Sequence, residues 1–330
     1  LIIHRGSFDF TQLKGWHDKL LPVLASRADV VSLDIDETRN QVAIGIESPA
    51  ATGEIKSDVA ALQIPDAAVH VKVRARPVPR LTLQQKRRPV LAGFQIQNDR
   101  GGTCTLGLNA RVNGQRVFVT ASHCSGDPFS NPDNRPIYQP TVSGANEIGH
   151  EIMDWPGFRC FWAFRCRYSD AAIFEYNGSV SDDFEKIART ESWAEGGRGS
   201  IVLSSSQPTF TIVEKVADGT IHVGERVHKV GRTSGWTTGL ITETCVSRIG
   251  GAIFLCQYVA ELWSEGGDSG APVFQHYWKG SAAHAHGILW GGPPGDWTET
   301  WYSPLSGVET DLGVQVDICY GNPFNGCPFN

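Results

Sequence analysis

Gly266-Gly267-Asp268-Ser269-Gly270-Ala271-Pro272-Val273-Phe274 sets a serine on a turn bounded by glycines, and the reading of that stretch decides the rest of the chain. In acyl transfer a serine nucleophile sits on a tight turn whose backbone N–H groups converge on the developing oxyanion, which requires glycine on both sides. Gly267 and Gly270 flank Asp268-Ser269 in that way. Gly, Asp and Ser are also the commonest residues of a polar surface turn. A serine hydroxyl is a weak nucleophile near neutral pH, so chemistry at Ser269 needs a base and an acid that orients it. Their presence elsewhere in the chain separates the two readings.

Val117-Phe118-Val119-Thr120-Ala121-Ser122-His123-Cys124 puts a histidine at the end of an apolar strand, beside a cysteine able to clamp the loop, and His123 is the expected base. Tyr168-Ser169-Asp170-Ala171-Ala172-Ile173-Phe174 places one carboxylate directly before an apolar strand. A lone acid entering a core is costly unless paired, and a histidine N–H supplies the pair. Asp170 is therefore the expected orienting acid, with Asp154 as the alternative on a segment that Pro156 marks as loop. His284 and His286 alternate on an apparent strand without a third ligand nearby, so no metal site and no cofactor are expected.

The chain has 330 residues and a net charge of −6 with acids and bases interspersed, so no basic stripe recommends a nucleic acid or a membrane surface as partner. No apolar run is long enough to span a bilayer. Eight cysteines are present and none precedes Cys104. Local spacing suggests Cys104 with Cys124, Cys160 with Cys166, Cys245 with Cys256 and Cys319 with Cys327, although spacing does not fix connectivity. Disulfides persist in oxidising compartments, and a start at Leu1 without Met suits removal of a signal peptide, so a secreted monomer is expected.

The cysteine-free beginning reads as a separate unit. Leu13, Trp16, Leu20, Leu21 and Leu24 recur at helical spacing between Phe10 and Ala25. Val31, Leu33 and Ile35, then Val42, Ile44 and Ile46, alternate around a Glu37-Thr38-Arg39-Asn40 turn as a hairpin. A shorter helix is expected around Ile55 to Leu62, and a third strand from Val69 to Arg74. Residues 1–75 thus form a small α+β unit, its helices on one face of an antiparallel sheet. Residues 76–90, with three prolines and Lys86-Arg87-Arg88, read as an exposed linker with a possible processing site. From Leu91 onward short alternating strands, many glycines and turns such as Asn113-Gly114 indicate an all-β body, a sandwich or two packed barrels, with a weak helical signal near Val308 to Val316.

The order His123, Asp170, Ser269 and the sequences around these residues resemble the chymotrypsin-like serine peptidases, most nearly the bacterial secreted streptogrisin and alpha-lytic protease group. Thr103-Cys104-Thr105-Leu106-Gly107, Val230-Gly231-Arg232-Thr233-Ser234-Gly235-Trp236 and Trp301-Tyr302-Ser303-Pro304-Leu305 add to the likeness, which covers residues 91–320. The resemblance implies a mainly β body of two packed six-stranded antiparallel β-barrels over residues 91–330, with the site in the cleft between them. It implies an oxyanion hole from the Gly267 and Ser269 N–H groups, and a substrate wall from Glu265, Gly266, Leu289, Trp290, Gly291 and Gly292. Trp290 falls where the family usually has a serine or one position away, and would either narrow the pocket or support the triad from behind. Asp268 would be held by an internal base, Lys229 by motif position or else Arg232. The N-terminal unit is similar to the pro-regions of that group, which would place this chain's own pro-domain in the cleft and start the mature enzyme near Leu91. Protein or peptide substrates are implied, with a weak lean to apolar side chains at the cleaved bond. The alternative from another class is a catalytically silent binding protein on the same fold; an acyl hydrolase of the Gly-x-Ser-x-Gly type is excluded by the motif itself.

Overall fold

Asp9 starts the first helix, Phe10–Leu24, by a reciprocal cap: its carboxylate accepts the Gln12 N–H at 2.7 Å while the Gln12 side chain accepts the Asp9 N–H at 3.0 Å. Leu13, Leu20 and Leu24 are buried on one face. Leu21, expected with them, is 49 % exposed, because one residue turns the helix by about 100° and carries it off the face set by Leu20. The computed structural model describes residues 6–330 except 78, 128, 162–163, 218, 250–251, 277–279, 322–326 and 328–330.

The chain divides into two compact units, Leu1–Pro79 and Arg80–Asn330. In the first, strands Val30–Asp36 and Gln41–Ile46 form the expected hairpin, and the helix Thr52–Ala61 leads to a third strand, Val69–Val73. That strand pairs in parallel with Gln41–Ile46, which corrects the expectation of an antiparallel sheet. The physical reason is the intervening helix: it carries the chain back across the sheet, so the third strand re-enters in the direction of the second.

The second unit is mainly β, with curled sheets. Its first sheet runs Thr103–Thr105, Gln95–Asn98, Pro136–Tyr138, Glu147–Met153, Ala172–Tyr176, Gln115–Thr120, Leu108–Val112, antiparallel throughout. Asn113 and Gly114 both take positive φ in the turn before Gln115, as a two-residue hairpin demands. The second sheet has twelve strands and its centre, from Arg226–Gly231 through Gly235–Arg248 to Ile253–Ala260, is antiparallel. Parallel joins occur where short strands arrive through long connections, as where Val90–Ala92 meets Asp182–Ala188. One buried cluster links the two sheets, with Phe94, Leu106, Phe118 and Phe174 beside Phe210, Phe274 and Ile288. Each such side chain contributes about 1.5–3 kcal/mol on burial. The Leu305–Leu312 helix ends on Gly313 at φ +65°, somewhat before the helical signal in the sequence. All four disulfides follow the local pairing.

The stretch expected as an exposed linker over 76–90 is shorter in the structure. Leu83 is fully buried, its N–H donates to the Ile201 carbonyl at 2.9 Å, and Leu81 O accepts the Leu203 N–H at 2.8 Å. Gln84 Nε2 donates to Arg232 O at 3.0 Å. Residues 80–90 therefore belong to the second unit, held by backbone pairing that composition does not reveal. Residues 73–77 and 79–80 are exposed. Limited trypsin digestion of the folded chain should cut first between Arg74 and Arg80, with the new terminus read by sequencing; a first cut within Lys86-Arg87-Arg88 would contradict this packing.

Candidate active site

Three loops carry the predicted residues, and one short strand fastens two of them. Thr103–Thr105 is joined to the His123 loop through the Cys104–Cys124 disulfide. The same strand holds the serine turn, since the Thr105 N–H donates to Ser269 O at 2.8 Å and Thr105 Oγ1 donates to Gly267 O at 2.9 Å. His123 Nδ1 lies 2.8 Å from Asp170 Oδ2, and the His123 backbone N–H donates to Asp170 Oδ1 at 3.1 Å. The carboxylate thereby fixes both the ring and the loop that bears it. Burial pushes the buried Asp170 upward, but its contacts with His123 outweigh this and hold it below the usual carboxylate range. Burial lowers His123 likewise, and the Asp170 charge and hydrogen bond overcome it to leave the imidazole raised above 6.5.

Among the described residues Ser269 and His123 share no hydrogen bond, a contact that is often long in a site without substrate. They are nonetheless neighbours: Cys124 Sγ is 3.7 Å from Ser269 O, and a His123 ring nitrogen lies within 4.8 Å of both sulfurs of the disulfide. Those sulfurs are bonded to each other, so this cluster is no metal site.

The serine turn takes its shape from Asp268. This carboxylate has no exposed surface and accepts Lys229 Nζ at 3.1 Å, the Ser234 hydroxyl, and the N–H groups of Thr233, Ser234 and Glu265 at 2.9, 3.2 and 3.0 Å. Lys229, equally buried, is thus the internal base, and Arg232 instead donates to Gln95 Oε1. Burial drives the lysine down; it also drives Asp268 up, but Lys229 and Ser234 more than offset this and keep the carboxylate low. Gly267 and Gly270 both have positive φ, +96° and +89°. A Cβ on Gly270 would meet Thr120 Oγ1 at 2.1 Å and Thr105 O at 2.2 Å, so the turn closes against the first sheet only with glycine there. Ala271 is absent from the positive-φ residues, so its methyl is tolerated. Among the described residues neither the Gly267 nor the Ser269 N–H donates to a protein acceptor, which leaves both donors open.

Ser269 opens on a cavity of about 170 Å³ walled by Glu265, Gly266, Leu289, Gly291, Gly292 and Trp297. The Glu265 carboxylate is paired with the Arg198 guanidinium and accepts Trp263 Nε1 at 2.8 Å. Trp290, grouped with that wall from sequence, does not line the cavity. Its indole N–H donates to Gln257 Oε1 at 2.8 Å and its ring stacks on Phe254. Leu289 belongs to the buried cluster of Tyr258, Ala271 and Tyr302, whereas Trp290 packs against the other cluster, at a register shift between Leu289 and Gly291 in the pairing with Thr300–Pro304. Gln257 Oε1 also accepts Ser303 Oγ at 2.8 Å, and that hydroxyl accepts the Asp170 N–H at 3.0 Å. Trp290 thus stands behind Asp170.

Other supports escaped sequence reasoning. Asp311 accepts the N–H groups of Tyr168 and Ser169, and the fully buried Arg167 bonds Asp154 Oδ1 at 3.2 Å and Ala171 O at 3.1 Å. Asp154, the alternative acid, also accepts Ser122 Oγ at 2.6 Å and among the described residues bonds no histidine. Thr105, Thr233, Ser234 and Ser303 lay inside stretches whose sequence stood out; Gln257, Arg167 and Asp311 act across distances that no local pattern signals. His284 pairs with Glu214, and His286 is buried.

No family model matches this sequence, and no curated protein is detectably similar to it. Among solved structures, Protease A of Thermobifida fusca is 20 % identical, covering 69 % of this chain and 97 % of that one with a TM-score of 0.48. A Nocardiopsis protease is 18 % identical, covering 69 % and 98 % at 0.47, and a Cellulomonas bogoriensis chymotrypsin 20 %, covering 69 % and 98 % at 0.47. The chain is similar to bacterial chymotrypsin-like serine proteases.

The Asp268–Lys229 pair provides a test that needs no substrate. Lys229→Met leaves a buried carboxylate without its counter-ion and should lower the unfolding free energy by about 3–5 kcal/mol, read as a fall in denaturant midpoint. Adding Asp268→Asn should recover part of the loss, and an unchanged midpoint for Lys229→Met would show that the pair does not shape the turn.

Proposed function

We propose that the chain is a secreted serine endopeptidase acting through His123, Asp170 and Ser269. The observation that carries this reading is the His123 Nδ1 contact with Asp170, which leaves the other ring nitrogen as the basic one. Ser269 Oγ attacks the scissile carbonyl as His123 Nε2 takes its proton. The oxygen of the tetrahedral intermediate is received by the Gly267 and Ser269 N–H groups, for which removal of one donor typically costs about 10²–10³ in turnover. His123 then delivers the proton to the leaving amine, and water hydrolyses the acyl-enzyme by the same route.

The peptide side chain next to the cleaved bond enters the cavity at Ser269. Leu289 and Trp297 make part of its wall apolar, and Arg198 neutralises Glu265, so the reading favours apolar side chains over basic ones there. The N-terminal unit serves as a pro-region that inhibits the enzyme until the exposed residues near 74–80 are cut, so the mature chain keeps residues 80–90 rather than starting near Leu91. Four disulfides support an oxidising destination, and among the described residues no helix is long and apolar enough to cross a membrane.

A serine-directed phosphonate should label the peptide containing Ser269, with no labelling of Ser269→Ala, as a terminus appears between residues 75 and 81. Absence of label after the linker is cut would return the chain to the silent binding reading. Catalysis needs neutral His123, whose pKa Asp170 raises, so kcat/KM should fall as pH drops through a limb above 6.5. Asp170→Asn should move that limb downward and lower kcat by about 10⁴-fold, measured as a pH–rate profile.

A further inference from the structure

The cavity at Ser269 does not end at its own wall. It shares Gly292 and Pro293 with an adjoining groove bordered by Trp290, Trp301, Glu299 and Arg248. Arg248 in turn lines a third cleft of about 430 Å³ with Arg165, Phe129 and Phe254. The three adjoin through these shared residues as one tract, and their charge changes along it: Glu265 and Asp296 stand at the Ser269 end, Glu299 beside Arg248 between, and Arg165 with Arg248 at the far end.

The far end concentrates positive charge at a structural cost. Phe158–Cys160 and Phe164–Arg167 form a short hairpin in which Arg159 lies directly opposite Arg165. Like charges in that register repel and destabilise the pairing, and here the Cys160–Cys166 disulfide holds the hairpin together. Among the described residues none of Arg159, Arg165 and Arg248 pairs with a carboxylate: Arg165 donates to Pro156 O at 3.2 Å and Arg248 lies over the Trp290 ring. Arg167, which also lines the cleft, is already held by Asp154. A chain with a net charge of −6 thus keeps arginines with no carboxylate partner among the described residues at the far end of clefts that begin at its candidate nucleophile, with Glu299 on the groove between.

We infer that this tract selects peptide substrates carrying acidic side chains a few residues from the cleaved bond, on the flank that runs along Gly291 and Gly292 toward Arg248 and Arg165. The inference rests on the peptidase reading of Ser269 and adds a substrate class to it. Glutamate or aspartate carboxylates would sit between Arg165 and Arg248 and screen the Arg159–Arg165 repulsion, while Phe129, Phe254 and Trp290 receive the aliphatic parts of the same segment.

The test uses the full chain, with active sites counted by the phosphonate, and peptides bearing three Glu or three Gln on one flank or the other of a fixed cleavage sequence. On one flank the kcat/KM ratio of Glu to Gln peptide should be about three- to tenfold, approaching one in 0.5 M salt and in Arg165→Gln/Arg248→Gln. Because each ratio is taken within one enzyme preparation, loss of folded protein cancels. A ratio near one on both flanks in a chain that titrates overturns the inference and leaves the peptidase reading intact. If nothing titrates, that reading fails by itself, and fluorescence anisotropy of the same labelled peptides on Ser269→Ala decides the tract: salt-sensitive preference for Glu that the arginine variant loses supports it, and charge-independent binding overturns it. Retention on phosphatidylglycerol vesicles without any peptide preference also overturns it, assigning the arginines to a membrane surface.

Discussion

A carboxylate removed from water must be compensated on every side, and Asp268 is the point at which this requirement organises the molecule. Its acceptor oxygens gather Lys229, Thr233, Ser234 and Glu265, residues from three separate stretches of the second sheet and its loops. Their convergence forces the chain between Glu265 and Gly270 into a turn that only glycine at 267 and 270 permits, and leaves the N–H groups of Gly267 and Ser269 without a protein acceptor among the described residues. The turn's geometry therefore follows from electrostatics inside the second sheet. Its position follows from Thr105, which reaches across from the first sheet to the carbonyls of Gly267 and Ser269.

The same logic governs Asp170 from the opposite side. A loop entering a core exposes N–H groups that must find acceptors, and Asp311 takes those of Tyr168 and Ser169 while Ser303 takes that of Asp170. Gln257 completes the frame with four hydrogen bonds: it donates to Tyr168 O and Leu255 O and accepts from Ser303 and Trp290. Since Trp290 lies between Leu289 and Gly291, both on the wall beside Ser269, one amide group connects that wall to the acid behind His123.

His123, Asp170 and Ser269 were legible because each is announced by its immediate neighbours, and Lys229 because its motif places it. The supports were not, since Gln257, Arg167 and Asp311 acquire meaning only when distant strands meet. Trp290 was left between two places, the pocket wall and a support behind the triad, and only the paired strand, with its register shift between Leu289 and Gly291, puts the indole on Gln257 and Phe254. The parallel third strand of the N-terminal unit was missed for a related reason, because alternation fixes which face a residue takes and says nothing of strand direction.

Residues 76–90 were read as linker from their prolines and charges, yet residues 80–90 are packed against the serine turn. Gln84 donates to Arg232 O, Arg232 Nε donates to Gln95 Oε1, and the Arg232 N–H donates to Thr105 Oγ1, the hydroxyl that also holds Gly267 O. A Cβ on Gly267 would stand 3.0 Å from Arg232 Cδ, so the arginine packs against the turn itself. Removing residues 80–90 would strip Leu83 from the core and release Gln84 from this relay, loosening the turn that bears Ser269. A chain that keeps residues 81–90 keeps the serine turn braced.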